Sequence, residues 1–134
     1  MMPMPAVALH RLRIMLPYER LTAWKECHRL VLETYRVTEF FPRHEIYGLR
    51  SQARRAAFSA AVNIAEGSAK RGRREFRRFL DISLGSLVEL SYALRVGREL
   101  GMIGDADWDS LEDLRKRAGF LTWRLYRSMN DQGR

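Results

Sequence analysis

Four segments of this chain carry apolar or small residues at alternating spacings of three and four, and each ends at a proline, a glycine or the chain's last residues. That period is the repeat of one α-helical face, and it leaves no room for the two-residue alternation of a strand. The first segment, about residues 19–40, places Leu21, Trp24, His28, Val31, Tyr35 and Thr38 on one face. Pro42 stops it, because proline lacks the N–H that a continuing helix needs. The second, about residues 45–66, carries Leu49, Gln52, Ala56, Ser59, Asn63 and Glu66, with Phe58, Ala61, Val62 and Ala65 beside them. Gly67 is placed to end it as a left-handed cap. The third, about residues 73–100, carries Phe76, Leu80, Ser83, Leu87, Leu90 and Leu94, and Gly101 ends it. Asp105 is the expected N-cap of the fourth, where Leu111, Leu114, Ala118, Leu121 and Leu125 repeat with Trp108 and Trp123 as large neighbours.

Helices of this size are each about 30–42 Å long, and short connections make sequence neighbours antiparallel. The expected fold is therefore all-α, an antiparallel up-down-up-down four-helix bundle over residues 18–130. Residues 1–17 are expected to be a loose extension or an upstream start rather than a secretory signal, and residues 131–134 a short tail. No run of about 18 apolar residues is present, so no membrane span is expected. Cys27 is the single cysteine. No intrachain disulfide can form, which fits a reducing cytoplasm.

The second and third segments form a hairpin with its turn at residues 68–71. This turn puts Asn63 near Phe76, Ser59 near Leu80 and Ala56 near Ser83, with small residues facing large ones so that the backbones approach closely. Asn63 and Glu66 would be partly buried and need partners. The expected polar network pairs Arg54 or Arg55 with Glu89, and Glu66 with Arg73 or Arg74; the alternative is that these charges are solvated.

Charge is concentrated on the same hairpin. The chain has a formal net charge of +8, and residues 50–78 hold nine basic residues against Glu66 and Glu75. Lys70, Arg71, Arg73, Arg74, Arg77 and Arg78 crowd a turn and the start of a helix, where the helix dipole disfavours cations. An anion bound there would reverse that penalty, and non-specific nucleic-acid binding is largely such a phosphate interaction. The bland alternative is a solvated charged end. No base-reading motif accompanies the cluster, and Phe76 and Phe79 fit the core spacing better than a stacking surface.

Enzyme chemistry finds no foothold. GSAKRGRR (residues 67–74) imitates the glycine spacing of a phosphate loop, but it follows a helix and lacks the Lys-Ser/Thr pair. No Glu-x-x-His pair occurs for a carboxylate-bridged metal site. His28 reads as a core histidine, Cys27 as a small buried hydrophobe, and Ser59 and Ser86 lack a triad arrangement. A non-enzyme without cofactor or metal is expected.

The runs FPRHEIYGLRSQARRAAFSAAVNIAEG and REFRRFLDISLGSLVEL, together with the pair at Trp24 and Lys25 and the LGMI ending at Ile103, carry a resemblance. They resemble the four-helix-bundle proteins encoded in intervening sequences of bacterial 23S ribosomal RNA genes, over about residues 18–128. The most specific parts are NIAEG, ending at Gly67, and GSLVEL, starting at Gly85. Members often carry a proline where Ala61 and Val62 stand, so a straighter second helix is expected here. The resemblance implies a compact bundle with no established enzymatic activity. More distant relatives, the accessory proteins of diversity-generating retroelements, form pentameric rings and bind reverse transcriptase and nucleic acid. The resemblance thus implies a homo-oligomer such as a pentamer, a nucleic-acid partner (RNA ahead of DNA) and a protein partner of the reverse-transcriptase kind.

Two readings follow. The first is a nucleic-acid or ribonucleoprotein accessory scaffold that holds phosphate backbone non-specifically. The second is an oligomeric structural or protein-interaction module, joined through a patch of Leu32, Phe40, Phe120 and Trp123, which fall off the main stripes.

Overall fold

The computed structural model describes residues 16–130. A short 3-10 turn (Pro17–Arg20) leads into α1 (Thr22–Thr38), and a second (Arg43–Glu45) into α2 (Leu49–Ser68); α3 (Arg73–Glu99) and α4 (Asp105–Ser128) follow. There is no strand among the described residues. Each helix packs on its sequence neighbour, and α4 closes the ring onto α1. Cross-helix bonds fix the directions. Arg36 meets Asp107, Glu33 meets Ser110 and Cys27 meets Thr122, so α1 and α4 are antiparallel. The expected up-down-up-down bundle is the fold.

The closest pair is α2 with α3. The buried side of α2 is Ala53, Ala56, Ala57, Ala60, Ala61, Ile64 and Gly67; that of α3 includes Leu80, Ser83, Leu87, Leu90 and Leu94. Alanines keep α2 thin, so the leucines of α3 fill the space between two close backbones. The expected principle holds, but its register is about one turn off. Ser83 donates to the carbonyl of Ala60 at 2.6 Å, not beside Ala56, and the hydroxyls of Ser59 and Ser86 lie 2.7 Å apart, not Ser59 against Leu80.

The cause is Gly67. It does not end α2 as a left-handed cap; the helix runs on to Ser68, and the positive-φ glycines are Gly72 and Gly101. Gly67 is instead buried where a Cβ would stand 2.8 Å from the Cβ of Phe79 and 2.9 Å from a ring carbon of Phe76. Phe76 therefore meets Gly67 and not Asn63, and the whole pairing shifts with it. Ala61 and Val62 leave α2 unbroken from end to end.

Other boundaries move for local reasons. Helix α2 begins at Leu49, because the Glu45 carboxylate accepts the Leu49 N–H at 2.9 Å from the turn before it. Gly104, not Asp105, is the N-cap of α4, and the Asp105 carboxylate instead meets the Arg98 guanidinium. On α1 the buried face is Ala23, Cys27, Leu30, Val31, Thr34, Val37 and Thr38. His28 is therefore not a core histidine: it is exposed and stacks on Trp24 with ring centroids 4.9 Å apart. Among the buried threonines, Thr38 and Thr122 are satisfied on their own helices, whereas the Thr34 hydroxyl has no hydrogen-bond partner among the described residues. Thr38 donates to the Thr34 carbonyl at 2.7 Å, and Thr122 to that of Ala118 at 2.7 Å. Cys27 is buried as expected, and burial pushes its thiol up to about 11.

Glycine substitutions test this packing by their sign. Gly67→Ala should lower unfolding free energy by about 1–3 kcal/mol, because the new methyl must displace backbone-proximal atoms of Phe79. Gly119→Ala, where a Cβ would meet nothing within 4 Å, should raise it by about 0.5–1 kcal/mol through helix propensity. Urea denaturation measures both.

Candidate nucleic-acid interface

Packing at Gly67 decides where the basic residues go. With Phe76 and Phe79 turned inward against α2, the remaining faces of the first α3 turns point outward. Lys70, Arg71, Arg73, Arg74, Arg77 and Arg78 are all exposed, on residues 69–72 and the first two turns of α3. Gly72 supplies the sharp reversal with φ +84°, and no side chain caps the first N–H groups of α3. The structure thus brings all six together at one end of the bundle.

Three of these six cations lean on aromatic rings. The Arg77 guanidinium lies over Tyr126 at 4.7 Å, Lys70 over Phe79 at 5.3 Å and Arg78 over Phe79 at 4.7 Å. Only Arg78 among the six has an ion pair, with Glu75 at 3.2 Å, within the described residues. A shallow cleft of about 630 Å³ opens between α3 and the end of α4, lined by Arg74, Glu75, Arg77, Arg78, Asp81, Tyr126 and Met129. Tyr126 and Met129 belong to the site although sequence reasoning missed them. They lie some fifty residues away along the chain, and only antiparallel packing of α4 on α3 brings them back.

The opposite end is built the other way. There Arg36 pairs with Glu33 at 2.8 Å and Asp107 at 2.7 Å, Arg50 and Arg54 with Glu39 at 3.3 and 3.1 Å, Arg95 with Glu99 at 2.9 Å and Arg115 with Glu112 at 2.8 Å. Arg98 is paired with Asp105. Hydrogen bonds from Arg36 and Ser110 hold the Glu33 carboxylate down at about 2, against the opposing effect of burial, and Arg115 lowers that of Glu112. One end of the bundle is charge-compensated; at the other, five of the six clustered cations have no ion pair among the described residues.

The expected polar network is arranged differently. Arg54 turns to α1, donating to Thr38 Oγ1 at 2.9 Å and the Tyr35 carbonyl at 3.1 Å and lying over the Tyr35 ring, so it does not meet Glu89. The reason is its position on the α1 side of α2. Arg55, Glu66 and Glu89 are exposed, and none of them forms an ion pair among the described residues. Asn63 is half-buried and donates to Ser59 on its own helix at 2.8 Å. Nor do Leu32, Phe40, Phe120 and Trp123 form one patch: Leu32 lines a separate groove with Leu114, while Phe120 and Trp123 stack on each other. Among the described residues no group of His, Cys, Asp or Glu could hold a metal ion, and no helix is long and apolar enough to cross a membrane.

Comparison with known families bears on what this end meets. The family model described as 23S rRNA-intervening sequence protein matches residues 19–121. The chain belongs to that family. The match contains all four helices up to Leu121 and the entire basic turn. No curated protein matches the chain.

The compensated end has a pH signature. A carboxyl held below its ordinary value stabilises the fold above its unfolded pKa, about 4.3, and that stabilisation is lost as pH falls through the folded value. For Glu33 the window runs from about pH 4.3 down to about 2. Glu33→Gln should be less stable than the parent at neutral pH by up to about 1 kcal/mol, since Glu33 is half-buried but its partner Arg36 is exposed and screened by solvent. The two should converge below about pH 2 in acid-dependent chemical denaturation.

Proposed function

We propose that this member of the 23S rRNA-intervening sequence protein family is a non-enzymatic accessory scaffold that holds the phosphate backbone of nucleic acid, RNA ahead of DNA, at its basic end. The observation that carries this reading is the set of exposed cations without carboxylate partners among the described residues: Lys70, Arg71, Arg73, Arg74 and Arg77. Cations at a helix N-terminus repel the dipole and one another, so an external anion is the natural counter-charge. The site offers guanidinium forks and backbone N–H groups but no arrangement that reads base edges, which makes the binding insensitive to sequence. The family's tie to ribosomal RNA genes favours RNA.

A second reading, self-association into a homo-oligomer, is favoured by the other end of the bundle. There Phe40 is 82% exposed and Tyr47 96% exposed, with Leu100 also exposed. Oligomerisation would multiply a weak phosphate site. A strict monomer by light scattering at high concentration contradicts this second reading without touching the first.

The test of the first is a comparison of two charge variants. Arg73, Arg74, Arg77 and Arg78 changed together to Gln should weaken RNA binding by about tenfold or more at low salt, and should flatten the salt dependence by up to about four units of log-log slope. Changing Arg36, Arg50, Arg95 and Arg115 to Gln removes the same charge from the compensated end and should leave the affinity close to that of the parent. Equal losses in the two variants, or no binding by the parent, would overturn the proposal.

A further inference from the structure

The second half of α4 is a basic surface of its own. From Leu114 to Asn130 the sequence LRKRAGFLTWRLYRSMN holds five Arg or Lys and no Asp or Glu. Its inner face is Ala118 and Thr122, and Lys116, Phe120, Trp123 and Arg127 recur on the opposite face at steps of four, three and four. Two large rings therefore stand on the solvent side of the helix: Phe120 is 56% exposed and Trp123 44% exposed. The rings stack on each other with centroids 6.5 Å apart. Each is flanked by a guanidinium one turn on, Arg124 over Phe120 at 5.7 Å and Arg127 over Trp123 at 5.1 Å. Neither Arg124 nor Arg127 forms an ion pair among the described residues.

We propose that this outer ridge of α4, centred on Phe120 and Trp123, is a stacking platform for unpaired bases, so that the nucleic acid held at the basic end is single-stranded there. The inference rests on the phosphate reading of the basic end and specifies its substrate. Exposed rings interleaved with unpaired cations are the combination that single strands use: bases stack on the rings, and guanidiniums meet the phosphates or stack in turn. A duplex offers its bases no such freedom, because they are already stacked inside. The ridge also leads toward the basic end. Tyr126, between Trp123 and Arg127 in sequence, carries Arg77 of α3 on its ring and lines the cleft with Arg74 and Arg78. Charge selects the occupant. A second copy seating the same ridge on itself would set Lys116, Arg124 and Arg127 against their own kind, whereas a polyanion is complementary to it.

The test uses the whole chain and a labelled oligoadenosine RNA of about 12 nucleotides, within the span such sites cover, alone and annealed to its complement. Phe120→Ala with Trp123→Ala should weaken single-strand binding by about tenfold or more and leave duplex binding unchanged. Arg73, Arg74, Arg77 and Arg78 changed to Gln should weaken both. Phe120→Leu with Trp123→Leu keeps an apolar surface without wide rings, and should lose single-strand affinity as the alanine variant does; circular dichroism checks that each variant is folded. If the aromatic variants bind single strands as the parent does, the platform is overturned while the phosphate site stands. If they instead lose self-association in light scattering with RNA affinity intact, the ridge is an interface between copies and the proposal is wrong. If the parent binds neither probe, the phosphate reading fails and takes the platform with it.

Discussion

The close approach of α2 and α3 is the constraint on which the rest of this bundle depends. It exists because α2 presents alanines and a glycine where most bundle helices present leucines, and because the two serines of α3 that face it make their own hydrogen bonds, to the Ala60 carbonyl and the Ser59 hydroxyl. Gly67 sets the axial position: Phe76 and Phe79 close over it so tightly that a methyl group would not fit. Once those rings are fixed, the chain must reverse within residues 69–72, and the arginines between and beside the phenylalanines have nowhere to go but outward. Packing in the core and charge at the surface are two consequences of one contact.

The result is a polar bundle. At one end arginines and carboxylates neutralise each other across α1, α2, α3 and α4, and the Glu33 carboxylate is held well below its ordinary range by Arg36. At the other end cations accumulate against aromatic rings. Ring faces stabilise a guanidinium by a modest electrostatic attraction but do not cancel its charge. They hold it in a defined orientation and leave its field available to a ligand. That division of labour accounts for a strongly basic chain that stays folded: the repulsive charges lie where the helices end, away from the alanine-lined core.

Much of this was legible from residue order. Helix number, helix limits to within a few residues and the crowding of Lys70, Arg71, Arg73, Arg74, Arg77 and Arg78 all follow from period, breakers and charge. The register did not, because a glycine near a helix end reads equally as a left-handed cap and as a point of close contact, and only the position of Phe79 decides. The exposure of His28 and the burial of Thr34 in place of Tyr35 were also hidden, since both sets repeat at helical spacing. The part of the site supplied by Tyr126 and Met129 depends on how α4 returns along α3. Arg54 shows the same limit in reverse: its partner Glu39 lies across α1 rather than across the hairpin.

The central claim is that one end of the bundle meets polyanions and the other does not. Amide chemical shifts of the isotope-labelled protein, followed as a short single-stranded RNA is added at low salt, test it most directly. The account predicts shifts concentrated in residues 69–78 and in the last turns of α4, with residues 33–54 and 95–115 unmoved. Shifts centred on the ion-paired end, or none at all, would contradict it.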